Sequence, residues 1–342
     1  KAPKPPRLDP GLQVKLVDYI DCTDPEDPHP FVTDDHTRVT NGKAGRYRET
    51  GVHANSYFSY RFRTGNRQRP HLIVVEHPDD ANRTACIFLD ESWMKGLFNS
   101  DFNVEGGYWS GREIALTNKP QTLELWIWPT DKWPAITCMN HTDSERAAMS
   151  RIWVYEVTGG LPAPKVNEPA DLPKRTVGLF VEDTRMFRYN FGAWGERGAR
   201  RMVEYAAYAG HNVVSFDSVL YAWKKCADIP AFQGNPGGGD DTELILEACD
   251  RAGLKFLAVF DPTSRFKVNG VATGDLTDPK VIDGWVEGIE QFIDKYGKHK
   301  SLMGISFGGP AGCNRHQSAK FVELQKRLHA MLRKQRPYLP LH

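Results

Sequence analysis

Four acidic residues in the second half of the sequence have types and positions that could support acid–base chemistry. Each follows directly on a short apolar run of the kind that forms a buried strand: Glu182, Asp183, Asp217 and Asp261. When carboxylates share a cleft, the pKa of one is raised, so that it can act as a general acid while another acts as a base or nucleophile. The alternative role for these acids is structural, as helix caps or as partners of nearby arginines.

The elements that would position these acids alternate between strand and helix. Four apolar runs are each followed by a helical pattern with clear end signals, such as Asp240 with Glu243 three residues on, or Asp278 followed by Pro279. Four βα units in succession predict a parallel sheet with right-handed crossovers over residues 175–342. The first βα loop lacks a G-x-G-x-x-G signature, and long loops follow the strands while short turns follow the helices. These features favour a (β/α) barrel over a doubly wound sheet.

In a barrel, the active site lies at the carboxyl ends of the strands. We therefore predict that Asp183, Asp217 and Asp261 are catalytic. Polar and aromatic residues of the same loops are predicted to bind the substrate: Glu182, Arg185, Tyr189, Trp194, Tyr221, Trp223, Asn314 and His316. A complete barrel takes about 250 residues, so the four units correspond to the first half of one. We expect the remainder of a longer chain, or a second copy, to complete the barrel.

The first part of the sequence predicts an antiparallel β-sandwich. After a Pro-rich leader over residues 1–11, residues 12–157 contain short strands of period two separated by turn residues, without a helical pattern between them. A Pro- and Gly-rich linker follows over residues 158–174. The predicted fold class is therefore multidomain β plus α/β, with an N-terminal sandwich followed by a partial TIM-type barrel of four βα units.

Composition disfavours several classes of partner. The formal net charge is +1 and no Lys/Arg cluster lies on a predicted helix, so neither nucleic acid nor an anionic membrane surface is expected to bind. No apolar run approaches the roughly 20 residues of a membrane helix. The six cysteines lack C-x-x-C spacing and the acidic loop Asp18–Asp27 lacks EF-hand spacing, so we predict no metal site and no cofactor. Asn82 and Asn140 each begin a glycosylation sequon.

Three phrases of the second part resemble a glycoside-hydrolase-type barrel: Arg201–Val214, Leu246–Phe256 and Tyr296–Ser306. Such enzymes often carry an N-terminal, jelly-roll-like sandwich in the same order. The resemblance implies an extracellular or periplasmic protein that hydrolyses or binds a polysaccharide, with carbohydrate as its ligand. The chain departs from the large barrel clan at strand four, which runs into Phe307–Asn314 without the usual Glu. The alternative is a non-catalytic cell-surface or assembly protein that uses both parts as a binding scaffold.

Two tryptophans on one predicted strand of the sandwich, Trp126 and Trp128, share a face of that strand. If this face were open, the pair would form a flat platform for sugar rings. If both faces of the strand were covered, the pair would be structural. We favour the structural interpretation, because tryptophan is largely buried on average.

Overall fold

The computed structural model describes the chain in segments. These are residues 8–90, 104–162, 176–181, 187, 190–216, 229–233, 240–260, 267–268, 271–272, 276–307 and 318–341. The chain divides into two compact units. The first comprises Lys1–Pro162 and Arg188–Gly192, and the second comprises Ala163–Phe187 and Ala193–His342.

The first unit is built from antiparallel strands. The strand bounds are β1 Val14–Asp21, β2 Phe31–Thr33, β3 Arg38–Gly42, β4 Gly45–Glu49, β5 Tyr57–Arg61, β6 His71–Pro78, β7 Arg83–Asp90, β8 Val104–Ser110, β9 Pro120–Ile127, β10 Ala135–Asn140, β11 Ala148–Met149 and β12 Arg151–Val157. One sheet has the order β1-β12-β6-β9, a second has β2-β5-β10-β7-β8, and a small third has β11-β4-β3. The antiparallel sheets predicted for this part of the chain are therefore present.

Alternating side chains of the two large sheets form the core between them. On β5 and just beyond it, Phe58, Tyr60 and Phe62 are at most 2% exposed, as the period-two pattern predicts. They pack with Ile87 and Ile136 of the same sheet and with inward residues of the facing sheet. Because successive side chains of a strand point to opposite faces, a shift of β5 by one residue would move these three aromatic rings out of the core, and this fixes its register.

The second unit contains a parallel sheet of four strands in chain order, β13 Gly178–Val181, β14 Val213–Phe216, β16 Lys255–Phe260 and β19 Leu302–Phe307. Three short strands form a separate antiparallel sheet, namely β15 Phe232–Gln233, β17 Lys267–Val268 and β18 Val271–Ala272. The helices whose bounds are described are α1 Gly195–Tyr208, α2 Asp241–Ala252, α3 Pro279–Tyr296 and α4 Ser318–Gln335. Beyond α4, Leu341 forms a parallel bridge with Ile305 of β19.

Local capping chemistry sets the ends of the helices. The Asp240 carboxylate accepts a hydrogen bond from the Glu243 amide, and Gly253 ends the same helix with a φ of 72°. Asp278 caps α3 in the same way, with Pro279 at the first helical position. Both starts agree with the sequence signals. The apolar face of α3 is fully buried, and its Trp285 ring lies 5.1 Å from the ring of Phe232.

Candidate functional site

Most of the predicted site lies outside the described residues. This holds for the catalytic candidates Asp183, Asp217 and Asp261 and for Glu182, Arg185, Tyr189, Tyr221, Trp223, Asn314 and His316. Trp194 is described, and it occupies the N-cap position of α1 with 44% of its surface exposed.

The strands that lead to the three aspartates do end at one edge of one sheet. Val181 of β13 pairs with Phe216 of β14, and Ser215 of β14 pairs with Leu257 of β16. All of these pairings are parallel, and neighbouring strands lie about 4.8 Å apart. The chain therefore leaves β13, β14 and β16 at adjacent positions along the carboxyl edge of the sheet.

The tryptophan platform considered for β9 does not exist. Trp128 is 3% exposed; its backbone amide donates to the Asn190 carbonyl and its ring lies 5.5 Å from the ring of Phe191, within the same unit. Trp126 packs against a second apolar cluster that contains Trp153. The structural interpretation of the two tryptophans is confirmed, because Trp128 is buried and Trp126 packs against the second cluster.

The acidic loop after β1 is an ordered turn in which side chains bind backbone donors. Asp21 accepts hydrogen bonds from the amide and hydroxyl of Thr23, at 3.0 and 2.7 Å. Asp27 accepts from the Asp21 amide at 3.0 Å, and Asp24 accepts from the Glu26 amide at 2.9 Å. The turn interpretation of this loop therefore accounts for its carboxylates.

His29 is held between two carboxylates at the end of that loop. Its Nδ1 lies 2.6 Å from Asp27 Oδ1 and its Nε2 lies 3.1 Å from Asp18 Oδ1. The hydrogen bond with Asp18 raises the pKa of His29, burial opposes that rise, and the bond with Asp27 adds to it. Burial alone would raise the pKa of Asp18, but hydrogen bonds from His29 and from the Arg63 amide outweigh it, so the pKa of Asp18 is lowered. Together these groups join β1 to the end of β5.

This arrangement predicts a pH optimum of stability. The raised pKa of His29 stabilises the fold fully below its ordinary value of 6.5, and that contribution is lost as the pH rises through the folded-state pKa. The lowered pKa of Asp18 stabilises the fold above its ordinary value of 3.8, and that contribution is lost as the pH falls. We expect His29→Gln to flatten the decline in unfolding free energy above pH 6.5, measured by denaturant titration at several pH values.

The matched control is His141→Gln, at an exposed histidine. If both variants kept the wild-type slope, His29 would not be its source.

An exposed tryptophan on β8, Trp109, lies outside the site residues that were predicted from the sequence. Trp109 is 67% exposed and stands directly opposite Thr84 of β7. The strand beneath it is anchored by its neighbour Tyr108, which points to the other face. The Tyr108 ring stacks on His77 at 3.7 Å, and its hydroxyl both donates to and accepts from the backbone of Ala148. Trp109 is thus an apolar ring presented to water from a firmly held strand.

A charged pair lies beside Trp109. Arg112 contacts Glu145 through two nitrogens, Nη2 at 2.6 Å and Nε at 3.1 Å, and its guanidinium is 5.8 Å from the Trp109 ring centroid. Burial raises the pKa of Glu145, but hydrogen bonds from Arg112 and Thr84 outweigh it and the pKa is lowered, which keeps Glu145 ionised. The Arg112 backbone, at a positive φ of 58°, donates to Asn82 Oδ1. The ring therefore has fixed hydrogen-bonding groups at its side.

Comparisons with known proteins give remote likenesses. No family model matches the sequence, and no curated protein matches it. A family 35 carbohydrate binding module from Clostridium thermocellum is 15% identical, with 40% of this chain and 98% of that chain covered and a TM-score of 0.29. A CBM36-1 domain of a multidomain xylanase from the hindgut metagenome of Trinervitermes trinervoides is 10% identical, covering 43% and 99%, with a TM-score of 0.30.

A third solved structure aligns with most of the chain. Xylanase10C from Cellvibrio japonicus in complex with xylopentaose is 11% identical, with 94% of this chain and 65% of that chain covered and a TM-score of 0.33. The chain thus spans less than two thirds of that xylanase. The structural neighbours named here are two carbohydrate-binding modules and a xylanase, and their low scores assign the chain to no family. Among the described residues, no helix combines the length and the apolar character needed to cross a membrane.

Proposed function

We propose that this chain is a carbohydrate-active protein whose first unit binds a polysaccharide through Trp109. The observation that carries the proposal is the exposure of this ring, 67%, on a strand fixed by the half-buried Tyr108. Sugars present flat C–H faces that pack on an indole, while their hydroxyls need polar partners at the rim. Arg112, which is 48% exposed and is held in place by Glu145, supplies hydrogen-bond donors at that rim.

In the second unit, the same proposal places the site at the carboxyl edge of the parallel sheet. The chain order of its four strands supports a partial barrel, because a doubly wound sheet reverses its strand order. Asp183, Asp217 and Asp261 follow three strands that end side by side, and we propose that they bind the polysaccharide or hydrolyse it. Completion of the barrel by further chain or by a second copy, and an extracellular or periplasmic location, belong to the same proposal.

The test of binding is a single substitution. We expect Trp109→Ala to weaken binding to neutral polysaccharides by at least about tenfold, since a buried aromatic contact at the centre of an interface is worth about 2 kcal/mol. Affinity electrophoresis against a panel of soluble xylans, mannans, galactans and glucans identifies the ligand, and titration calorimetry measures the loss. The matched control is Ile114→Ala, which removes another exposed apolar side chain of the same region. Equal affinity of wild type and Trp109→Ala for every member of the panel would overturn the proposed site.

Hydrolysis has a separate readout on the same panel. Reducing ends should accumulate with the wild-type chain, and the rate should fall by orders of magnitude in Asp183→Asn, Asp217→Asn or Asp261→Asn if that residue is catalytic. Binding without any release of reducing ends would favour the alternative, a non-catalytic surface or assembly protein that uses the chain as a scaffold.

A further inference from the structure

We propose a second binding site on the first unit, formed by Arg63, Arg67 and Lys132 around Trp133, that recognises the anionic groups of an acidic polysaccharide. This inference rests on the proposed carbohydrate-binding function and names a ligand class for a different surface. The two surfaces are separate, because Trp109 stands opposite Thr84 at the start of β7, whereas Trp133 precedes β10 near the end of β7. Six strand residues, about 20 Å, separate these positions.

Two interlocked turns build the site. The Thr64 amide donates to the Lys132 carbonyl at 3.1 Å, and the Thr64 hydroxyl donates to the Asp131 carbonyl at 3.0 Å. Arg61 donates to the Trp133 carbonyl at 2.8 Å. The Trp133 amide in turn donates to the Asp131 carboxylate at 3.1 Å. Each turn therefore holds the backbone of the other, and the side chains between them share one rigid support.

Trp133 serves as the platform for an arginine. The Arg63 guanidinium lies 5.1 Å from the Trp133 ring centroid, and the Arg63 amide donates to Asp18 at 2.6 Å. A guanidinium held over an aromatic ring by a cation–π contact keeps N–H groups that can bind a carboxylate or sulfate. Arg63 is thus held at its backbone amide by Asp18 and at its guanidinium by the Trp133 ring.

The cations of this site have no carboxylate partner among the described residues. Arg63, Arg67 and Lys132 are exposed and none of them forms an ion pair there, in contrast to Arg69, which pairs with Glu156 at 2.9 Å. The Arg67 guanidinium donates to the Thr130 carbonyl, which places it over the same turn. Arg63 therefore lies over an exposed aromatic ring, and Arg67 and Lys132 belong to the two turns that carry it.

The two nearby carboxylates form no ion pair with these three cations, because their oxygens are bound to other groups. Asp18 binds His29 and two backbone amides, one of them that of Arg63. Asp131 accepts from the Trp133 amide. The compactness of the patch and the formal net charge of +1 favour an acidic sugar over a nucleic acid, which is bound along an extended basic track.

The experiment compares two ligands that differ in whether their carboxyl groups are ionised or methyl-esterified. Titration calorimetry of the full chain, in buffer with EDTA, measures binding of oligogalacturonate and of its fully methyl-esterified form. We expect the acid to bind at least about tenfold more tightly, and Arg63→Gln to abolish that difference, since a charged hydrogen bond contributes more than a factor of ten. Arg63→Lys should retain part of the difference, because lysine keeps the charge but lacks the planar fork. The matched control is Arg46→Gln, at an exposed arginine of the β3–β4 hairpin.

Further ligands and variants separate the outcomes. Dextran sulfate compared with dextran tests sulfate as the source of the anionic group, and a preference for the sulfated form also supports the site. Three results would overturn the proposal. In the first, acid and ester bind equally and dextran and dextran sulfate also bind equally. In the second, Arg46→Gln and Arg63→Gln lose equal affinity, and in the third, oligothymidylate binds more tightly than either acidic sugar. Trp109→Ala should leave acid binding intact, so failure at Trp109 and failure at this second site are distinguishable.

Discussion

Replacing Arg83 by methionine should lower the unfolding free energy of the first unit by about 3–5 kcal/mol, the cost of removing one partner from a buried ion network. The Arg83 side chain is 3% exposed and contacts Asp80 at 3.1 Å and Glu49 at 3.5 Å. It also donates to the Tyr47 hydroxyl and to the Arg146 carbonyl, each at 2.9 Å. Methionine fills much of the same space but leaves the buried Asp80 without its cation, whereas Glu49 keeps its pair with Arg38 at 2.8 Å.

Guanidinium denaturation followed by circular dichroism measures the Arg83 effect. The control is Arg112→Met, which removes an arginine that is 48% exposed and should cost about 1 kcal/mol or less. Adding Asp80→Asn to Arg83→Met should restore part of the loss, because the uncompensated carboxylate is then gone. A loss under about 1 kcal/mol in Arg83→Met would show that the network does not depend on this cation.

The second large effect is expected at Asn140, where alanine should cost about 2–4 kcal/mol. The Asn140 side chain is fully buried, and its Nδ2 lies within hydrogen-bonding distance of four backbone carbonyls. These are Gly51 at 3.3 Å, His53 at 3.2 Å, Thr142 at 2.7 Å and Glu145 at 2.6 Å. One amide therefore ties the β4–β5 loop to the loop after β10, and its loss leaves buried acceptors without a donor.

Two further variants test the Asn140 interpretation by the same denaturation measurement. Asn140→Asp should be at least as harmful as Asn140→Ala, because it turns an acceptor toward four carbonyls. His141→Ala, at the exposed neighbouring position, should change stability by no more than about 0.5 kcal/mol. If Asn140→Asp were as stable as the wild type, the hydrogen bonds of the Asn140 side chain to these four carbonyls would not stabilise the fold. Because the Asn140 side chain is buried in these contacts, the sequon at Asn140 is enclosed in the folded protein, whereas Asn82 is exposed.

Local signals were sufficient for much of the fold. The alternation of Phe58, Tyr60 and Phe62 identified a core-facing strand, and Asp240 and Asp278 marked helix starts that the structure confirms. These signals succeed because they depend on neighbours within a few residues, through side-chain alternation in strands and through carboxylates that accept from the first free amides of a helix.

The role of each exposed or buried tryptophan could not be obtained in that way. Alternation shows that Trp126 and Trp128 share a face, but it does not show whether another layer covers that face. Trp128 is covered by Phe191, 63 positions along the chain, whereas Trp109 on β8 is left open. Burial of an aromatic ring depends on packing against residues that are distant in the sequence, and the local sequence pattern does not show which residues those are.

The sequence by itself determined the order of elements in this protein, namely antiparallel strands followed by alternating strands and helices, because hydrophobic period and turn chemistry are local properties. Only the tertiary structure decided which polar groups meet. Asp18 reaches His29 and the Arg63 amide across the end of the sandwich, and Arg83 joins carboxylates from two separate segments. Such contacts form where strand pairing brings distant residues together, and the physical pairing of strands, rather than any motif, places Trp109 and Trp133 at the two proposed binding surfaces.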